Sequence, residues 1–155
     1  MSGLSHLDDE GRARMVDVGG KEPTDREAVA EAFVTMSDST REALFGGELP
    51  KGDARAVARV AAIMAAKSTP QLVPLCHPID LSAVEVDVEP APGGAVVVVR
   101  VKTTGRTGVE MEAMTGAALG AVTIYDMIKG LDRGAEIGPV RLLAKSGGRS
   151  GEWRR

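Results

Sequence analysis

One stretch, Thr107 to Lys129, restricts the folds open to this chain more than any other: TGVEMEAMTGAALGAVTIYDMIK. Thr107, with Glu110 three residues later, has the form of a capping box, in which two orphan amides at a helix start are satisfied reciprocally. Twelve uncharged residues run from Met114 to Tyr125. Asp126 and Lys129 follow, three apart and so on one helix face. At 1.5 Å per residue the helix is about 33 Å long. Being apolar nearly all round, it is expected to be buried on most sides. Gly116 and Gly120 are four apart, a spacing that lets a second backbone approach closely. The apolar run is too short to cross a bilayer, which takes about 20 residues. The expectation is a central helix of a soluble domain, acidic at its start and closed by an acid–base pair.

The rest of the chain supplies partners for that helix. Residues 1–14 are polar and rich in Gly and Asp, and are expected to form a flexible arm. Residues 15–155 read as a single domain. Met15 to Val18 has the look of a short strand, and Arg26 to Met36 fits either a helix or a longer strand, with Val29, Phe33 and Val34 favouring the strand. Ser39 to Phe45 is a short helix closed by Gly46 and Gly47. Asp53 is placed to cap a second helix, ARAVARVAAIMAAK, which is expected to be largely buried and to stop at Thr69-Pro70. Prolines 74 and 78 stiffen LVPLCHP. Ala83 to Glu89 alternates valines with acids, Pro90 to Gly94 is a turn, and Ala95 to Lys102 is the returning strand. Ile137 to Ala144 is a final strand. No steady βαβ rhythm appears, so the class is α+β with a mainly antiparallel sheet packed on long helices.

Composition excludes several functions. Aromatics are only 3% of residues, so the core must be built from Ala, Val, Leu, Ile and Met. Small side chains bury little area each, which favours close helix packing and association between copies. A net charge of −3 with so few aromatics argues against nucleic-acid binding. The lone Cys76 cannot close an internal disulfide, which fits a reducing cytoplasm. The N-terminus lacks the apolar core of a secretory signal.

Several side chains could carry chemistry. His77, between Cys76 and Pro78, is either a loop histidine satisfying a backbone carbonyl or a positioned imidazole. One Cys beside one His cannot close a zinc shell, so no metal site is expected. Lys51 is either solvated or held at a helix N-terminus where anions gather. Lys-Ser-Gly-Gly-Arg-Ser-Gly, from Lys145, suits a phosphate loop or a frayed terminus. Asp126 and Lys129 end an apolar helix, where burial would shift both pKa values and suit proton transfer. Glu112 and Asp126 stand fourteen residues apart, about 21 Å along one helix. One small substrate cannot touch both in one copy, so a shared site would lie between subunits.

With these residues in view, the chain resembles the MoaC family. The motifs are MVDV at 15–18, EAFVTM at 31–36, KGDARAVARVAAIMAAK at 51–67, LVPLCHP at 72–78, TGVEMEAMT at 107–115, TIYDMIK at 123–129 and IGPVRLLAKSGG at 137–148. The resemblance covers nearly the whole chain. It implies conversion of 3′,8-cyclo-7,8-dihydroguanosine 5′-triphosphate to cyclic pyranopterin monophosphate with release of pyrophosphate. It further implies Asp126 as catalytic acid/base, Lys129 and Lys51 as required lysines, and Leu75, Cys76, His77, Met111 and Glu112 as substrate-binding residues. Lys145, Arg26 and Lys67 would line the pocket. The implied assembly is a homohexamer, a trimer of dimers with ferredoxin-like subunits. No cofactor is expected; Mg²⁺ commonly accompanies a triphosphate, but the sequence does not say whether it does here. A non-enzymatic nucleotide-binding or assembly module is the alternative, since fold does not fix function.

Overall fold

Valines and alanines at every second position build the sheet of the computed structural model, which describes residues 6–155. Strand β1, Thr24–Thr35, buries Ala28, Ala30, Ala32 and Val34 on one face. After helices α1 (Asp38–Gly46), α2 (Ala54–Lys67) and the single turn α3 (Thr69–Leu72), the hairpin of β2 (Ala83–Ala91) and β3 (Gly94–Gly105) adds Val97, Val99 and Val101 to the same layer. Each such valine contributes about 1.5–3 kcal/mol by leaving water. Helix α4 (Glu110–Ile128), strand β4 (Glu136–Ser146) and the short β5 (Trp153–Arg154) complete the chain. The strand order is β2-β3-β1-β4-β5, antiparallel at every pairing. The α+β class expected from the sequence is the class observed.

Helices α2 and α4 pack on each other and on one face of the sheet, α4 over β1, β3 and β4, and α2 over β2. Their contact explains how a chain with so few aromatics closes its core. Small residues recur along both helices: Ala54, Ala58, Ala62 and Ala66 on α2, and Ala113, Gly116, Ala117, Gly120 and Ala121 on α4. A Cβ at Gly116 would come within 3.1 Å of the Ala62 carbonyl oxygen, and one at Gly120 within 2.8 Å of Val97 Cγ1. The two glycines therefore set how close α4 lies to its neighbours.

Four expectations need correction. Residues 15–18 form no strand; the chain is irregular there, and the Val16 carbonyl is taken by a side chain instead of a neighbouring strand. The capping box is not made: α4 begins at Glu110, after an N-cap Val109 with no side-chain hydrogen bond. Helix α4 is not buried on most sides within one chain, because Met111, Leu119 and Val122 face outward. Helix α2 likewise buries its alanines but exposes Val57, Val60 and Met64. The expected arm, residues 1–14, falls partly outside the described residues, at 1–5. Residues 6–14 curl back, with a bridge between Leu7 and Ala13 and with Asp8 accepting from the Arg12 amide and guanidinium.

Candidate active site

The segment after α3 and the start of α4 meet in a cavity of about 300 Å³. Leu75, Cys76, His77, Met111 and Glu112 all line it, so five of the residues singled out in the sequence converge. His77 holds the wall together. Its Nε2–H donates to the Val16 carbonyl oxygen at 2.6 Å, tying residues 75–77 to the 15–18 segment. Because a carbonyl can only accept, Nε2 carries a proton and is the donor of this bond. Both sequence readings of His77 thus describe one residue.

Glu112 is the most unusual group here. It is 2% exposed, and neither carboxylate oxygen has a hydrogen-bond partner among the described residues. Leaving such a group unpaired costs free energy unless the charge is neutralised or a ligand supplies donors. Burial pushes its carboxyl above the usual range, and the neighbouring Glu110 adds to the rise. Burial raises the Cys76 thiol too, with the Glu112 charge adding to it. Glu110 itself lies 3.3 Å from Lys145 Nζ, which also contacts Ser150 Oγ. That pairing occupies the glutamate assigned to the absent capping box.

The other end of α4 holds a different cluster. Lys129 Nζ lies 2.7 Å from Asp126 Oδ1, and Lys51 Nζ lies 3.1 Å from Oδ2 and 2.8 Å from the Asp126 carbonyl oxygen. The expectation that burial perturbs this pair is wrong within one chain. The side chains of Asp126 and Lys129 are 53% and 49% exposed, and Asp126 is lowered, first by its bond to Lys129 and then by Lys51. Lys51 also differs from the helix N-terminal cation considered above. Asp53 Oδ1 takes the Arg55 and Ala56 amides at the start of α2, and Lys51 reaches to the C-terminal turn of α4, where a cation complements the helix dipole.

Three predicted pocket residues stand around the cavity, not in it. Lys145 touches its wall through Glu110. Lys67 lines an adjoining depression of about 420 Å³ that shares Ile79 with the cavity. Arg26 donates from Nε to the Gly105 carbonyl at 2.9 Å and lines a separate groove. The C-terminal segment is not frayed: Trp153 and Arg154 pair with Lys145 and Ala144. Sequence reasoning missed Lys21, Thr107 and Glu110 as cavity residues. Thr107 and Glu110 were assigned to a cap. Lys21 follows two glycines, Gly19-Gly20, a punctuation that marks a loop able to turn a cation inward. Among the described residues no group of three or more His, Cys, Asp and Glu side chains is placed to hold a metal ion, and no helix is long and apolar enough to cross a membrane.

These motifs have known counterparts. The MoaC family model matches residues 15–148. The chain is similar to a cyclic pyranopterin monophosphate synthase of Pelotomaculum thermopropionicum, 56% identical over 100% of this chain and 92% of the relative. Proteins of the same name from a Roseiflexus species and from Corynebacterium efficiens are 54% and 53% identical, each over 99% of this chain, and over 98% and 99% of their own lengths.

Proposed function

Because this chain belongs to the MoaC family, we propose that it is a cyclic pyranopterin monophosphate synthase. It converts 3′,8-cyclo-7,8-dihydroguanosine 5′-triphosphate to cyclic pyranopterin monophosphate and pyrophosphate, an early step of molybdenum cofactor biosynthesis. The observation that carries the reading is the pair of carboxyls at the two ends of α4, tuned in opposite directions. Ring opening and ring closure need one group that can give a proton and another that is ionised and can take one. Glu112, held toward its protonated form, suits the donor, and Asp126, held as carboxylate between two lysines, suits the acceptor. A simple nucleotide-binding module would need cations but no buried, partnerless acid.

In this reading Asp126, Lys129 and Lys51 are catalytic. Leu75, Cys76, His77, Met111 and Glu112 hold the ring system, Glu112 serving also as the proton donor, with Lys145, Arg26 and Lys67 around it. Mg²⁺ would arrive with the triphosphate, not as a resident ion. The two carboxyls are about 21 Å apart along α4, so one site takes Glu112 from one copy and Asp126 from another. A homohexamer built as a trimer of dimers meets that need. The outward Val57, Val60 and Met64 of α2 and Leu119 and Val122 of α4 support association, since exposed apolar patches mark contact surfaces. The strand and helix order β-α-β-β-α-β, with β1 between β3 and β4, supports a ferredoxin-like subunit. The reduced thiol of Cys76 is in keeping with a cytoplasmic enzyme.

The test is pyrophosphate release when purified protein meets the cyclised nucleotide. Lys129→Ala and Asp126→Asn are each expected to lower turnover by about 10²–10⁴-fold. Turnover like that of the unaltered protein in either variant would reject these roles.

A further inference from the structure

Helix α4 ends on the cluster of Asp126, Lys129 and Lys51, whose side chains are about half exposed. Burial does not hold that cluster still, and exposed ion pairs do so only weakly because solvent screens them. The residue after Lys129 is Gly130, where a side chain would meet nothing within 4 Å, so the backbone gains freedom at the root of the cluster. The turn that follows is nevertheless tied down from two sides. Leu131 and Asp132 both return their amides to the Ile128 carbonyl oxygen, at 2.8 and 3.0 Å. The Asp132 carboxylate then joins two distant segments. Its Oδ1 accepts from the Gly134 amide at 3.1 Å, and its Oδ2 accepts from the Ser37 amide at 2.8 Å, ninety-five residues away. Ser37 is the N-cap of α1, just after β1.

We propose that Asp132 is a positioning residue for the reaction: it clamps the end of α4 to the junction of β1 and α1, so that the Lys129 ammonium keeps one geometry beside Asp126. The proposal rests on the function read above and deepens it by naming what aims the proton-transferring pair. Tyr125 is the second tie. Its carbonyl oxygen accepts from the Lys129 amide at 2.9 Å, and its hydroxyl donates to the Arg133 carbonyl oxygen at 3.1 Å, so one residue brackets the turn at both ends. The turn then runs into β4, whose Glu136 pairs with Thr35 of β1.

Charge and leverage both single out Asp132. A carboxylate beside the C-terminal end of a helix is disfavoured by the helix dipole, so its place there is not explained by the helix itself. Two amide donors offset that cost, since hydrogen bonds to an ionised acceptor are about twice as strong as neutral ones. With both oxygens committed to amides, the group holds the chain and does not serve as a second proton carrier. Lys129 is the C-cap of α4. Its Nζ sits at the tip of a four-carbon stem, so a small rotation of the last turn moves the ammonium further than the backbone. A displacement of about 1 Å in a reacting group can cost about 100-fold in rate.

The test is a double-mutant cycle in the full-length protein, read by pyrophosphate release from the cyclised nucleotide and by amide hydrogen exchange. Asp132→Ala is expected to lower kcat about tenfold while KM moves less than about twofold, as misalignment of reacting groups does. Asp132→Asn retains one oxygen acceptor and should lose less, and Tyr125→Phe should lose about threefold. Arg133→Ala keeps the carbonyl that Tyr125 uses and should match the parent. In a Lys129→Ala background, Asp132→Ala should cost less than about twofold, because no ammonium is left to aim. Exchange at the Lys129 and Leu131 amides should quicken in Asp132→Ala. Should that variant fail to fold, Tyr125→Phe carries the same cycle, since it removes only a hydroxyl. Full additivity in the cycle, unchanged exchange, or normal turnover in a variant whose turn exchanges faster would each overturn the positioning role and leave the enzymatic reading intact. A parent protein that releases no pyrophosphate would instead remove the enzymatic reading, and the positioning role with it.

Discussion

The two ends of helix α4 hold the same kind of group in opposite circumstances. At the N-terminal end Glu112 is buried, partnerless and pushed toward its neutral form. At the C-terminal end Asp126 is half exposed, bound by two lysines and held as carboxylate. The first end has a cavity with unsatisfied acceptors. The second has ammonium groups in excess of the one carboxylate between them. Each lacks what the other supplies, and the length of the helix keeps them apart in one chain. On the function proposed above, a single copy would carry two half-sites, not one whole site.

The strongest way to break that comparison is subunit complementation. Glu112→Gln and Asp126→Asn, prepared separately, are each expected to lose about 10²–10⁴-fold in turnover. Mixed and reassembled, they should regain about a quarter of parental activity, because in half of the dimers one of the two shared sites draws both intact residues. No recovery on mixing would place both carboxyls in the same subunit's site and end the two-half-site picture.

A second, smaller effect sharpens the comparison through pH. Glu112 is raised, so it adds nothing unfavourable while protonated, and its ionisation costs stability as pH climbs from about 4.3 through its folded value. Glu112→Gln should therefore gain thermal stability over the parent at pH 8 and lose that advantage near pH 4. Asp126 is lowered, so its contribution is present above about pH 3.9 and is lost as pH falls through its folded value. Asp126→Asn should accordingly be the less stable variant at pH 7, with the gap to the parent narrowing as pH falls below about 3.9. The gain on exposed Asp126 is small because solvent screens both ion pairs. Melting curves of the two variants that moved the same way with pH would contradict the opposed tuning.

Particular residues show what was legible in the sequence. Val84, Val86 and Val88, alternating with acids, could be read as a half-buried strand because the period of two is a property of the backbone alone. The same holds for the second helix, whose Asp53 cap and alanine stripe are local features. Cys76 and His77 were picked out by the stiff prolines around them, and they do line the cavity. Local pattern failed where a partner far along the chain decides the outcome. Val16 was read as strand, but its carbonyl is claimed by His77, sixty-one residues away. Glu110 was read as a cap, but Lys145 draws it aside. Lys21 had only the Gly19-Gly20 loop before it as a local sign, because the 75–77 segment and the start of α4 that share its cavity come far later in the chain.

The smallest effect bears on how the two helix starts differ. At the start of α2, Asp53 Oδ1 accepts from the amides of Arg55 and Ala56, both at 3.1 Å, so two of the orphan donors are satisfied. At the start of α4 no side chain caps the turn, and Thr107 lines the cavity. Asp53→Ala is expected to cost about 1 kcal/mol in urea unfolding, the ordinary value of a lost N-cap. Thr107→Ala should stay within about 0.5 kcal/mol of the parent, as a substitution that removes no cap and no core contact does. Should Thr107→Ala cost as much as Asp53→Ala, the capping box written in the sequence would be in use, and Glu110 could not also be the partner of Lys145. If the two values separate as expected, the first amides of α4 remain uncommitted to any side chain. The cavity end of α4 would then give up cap stability that the start of α2, which does not line the cavity, keeps.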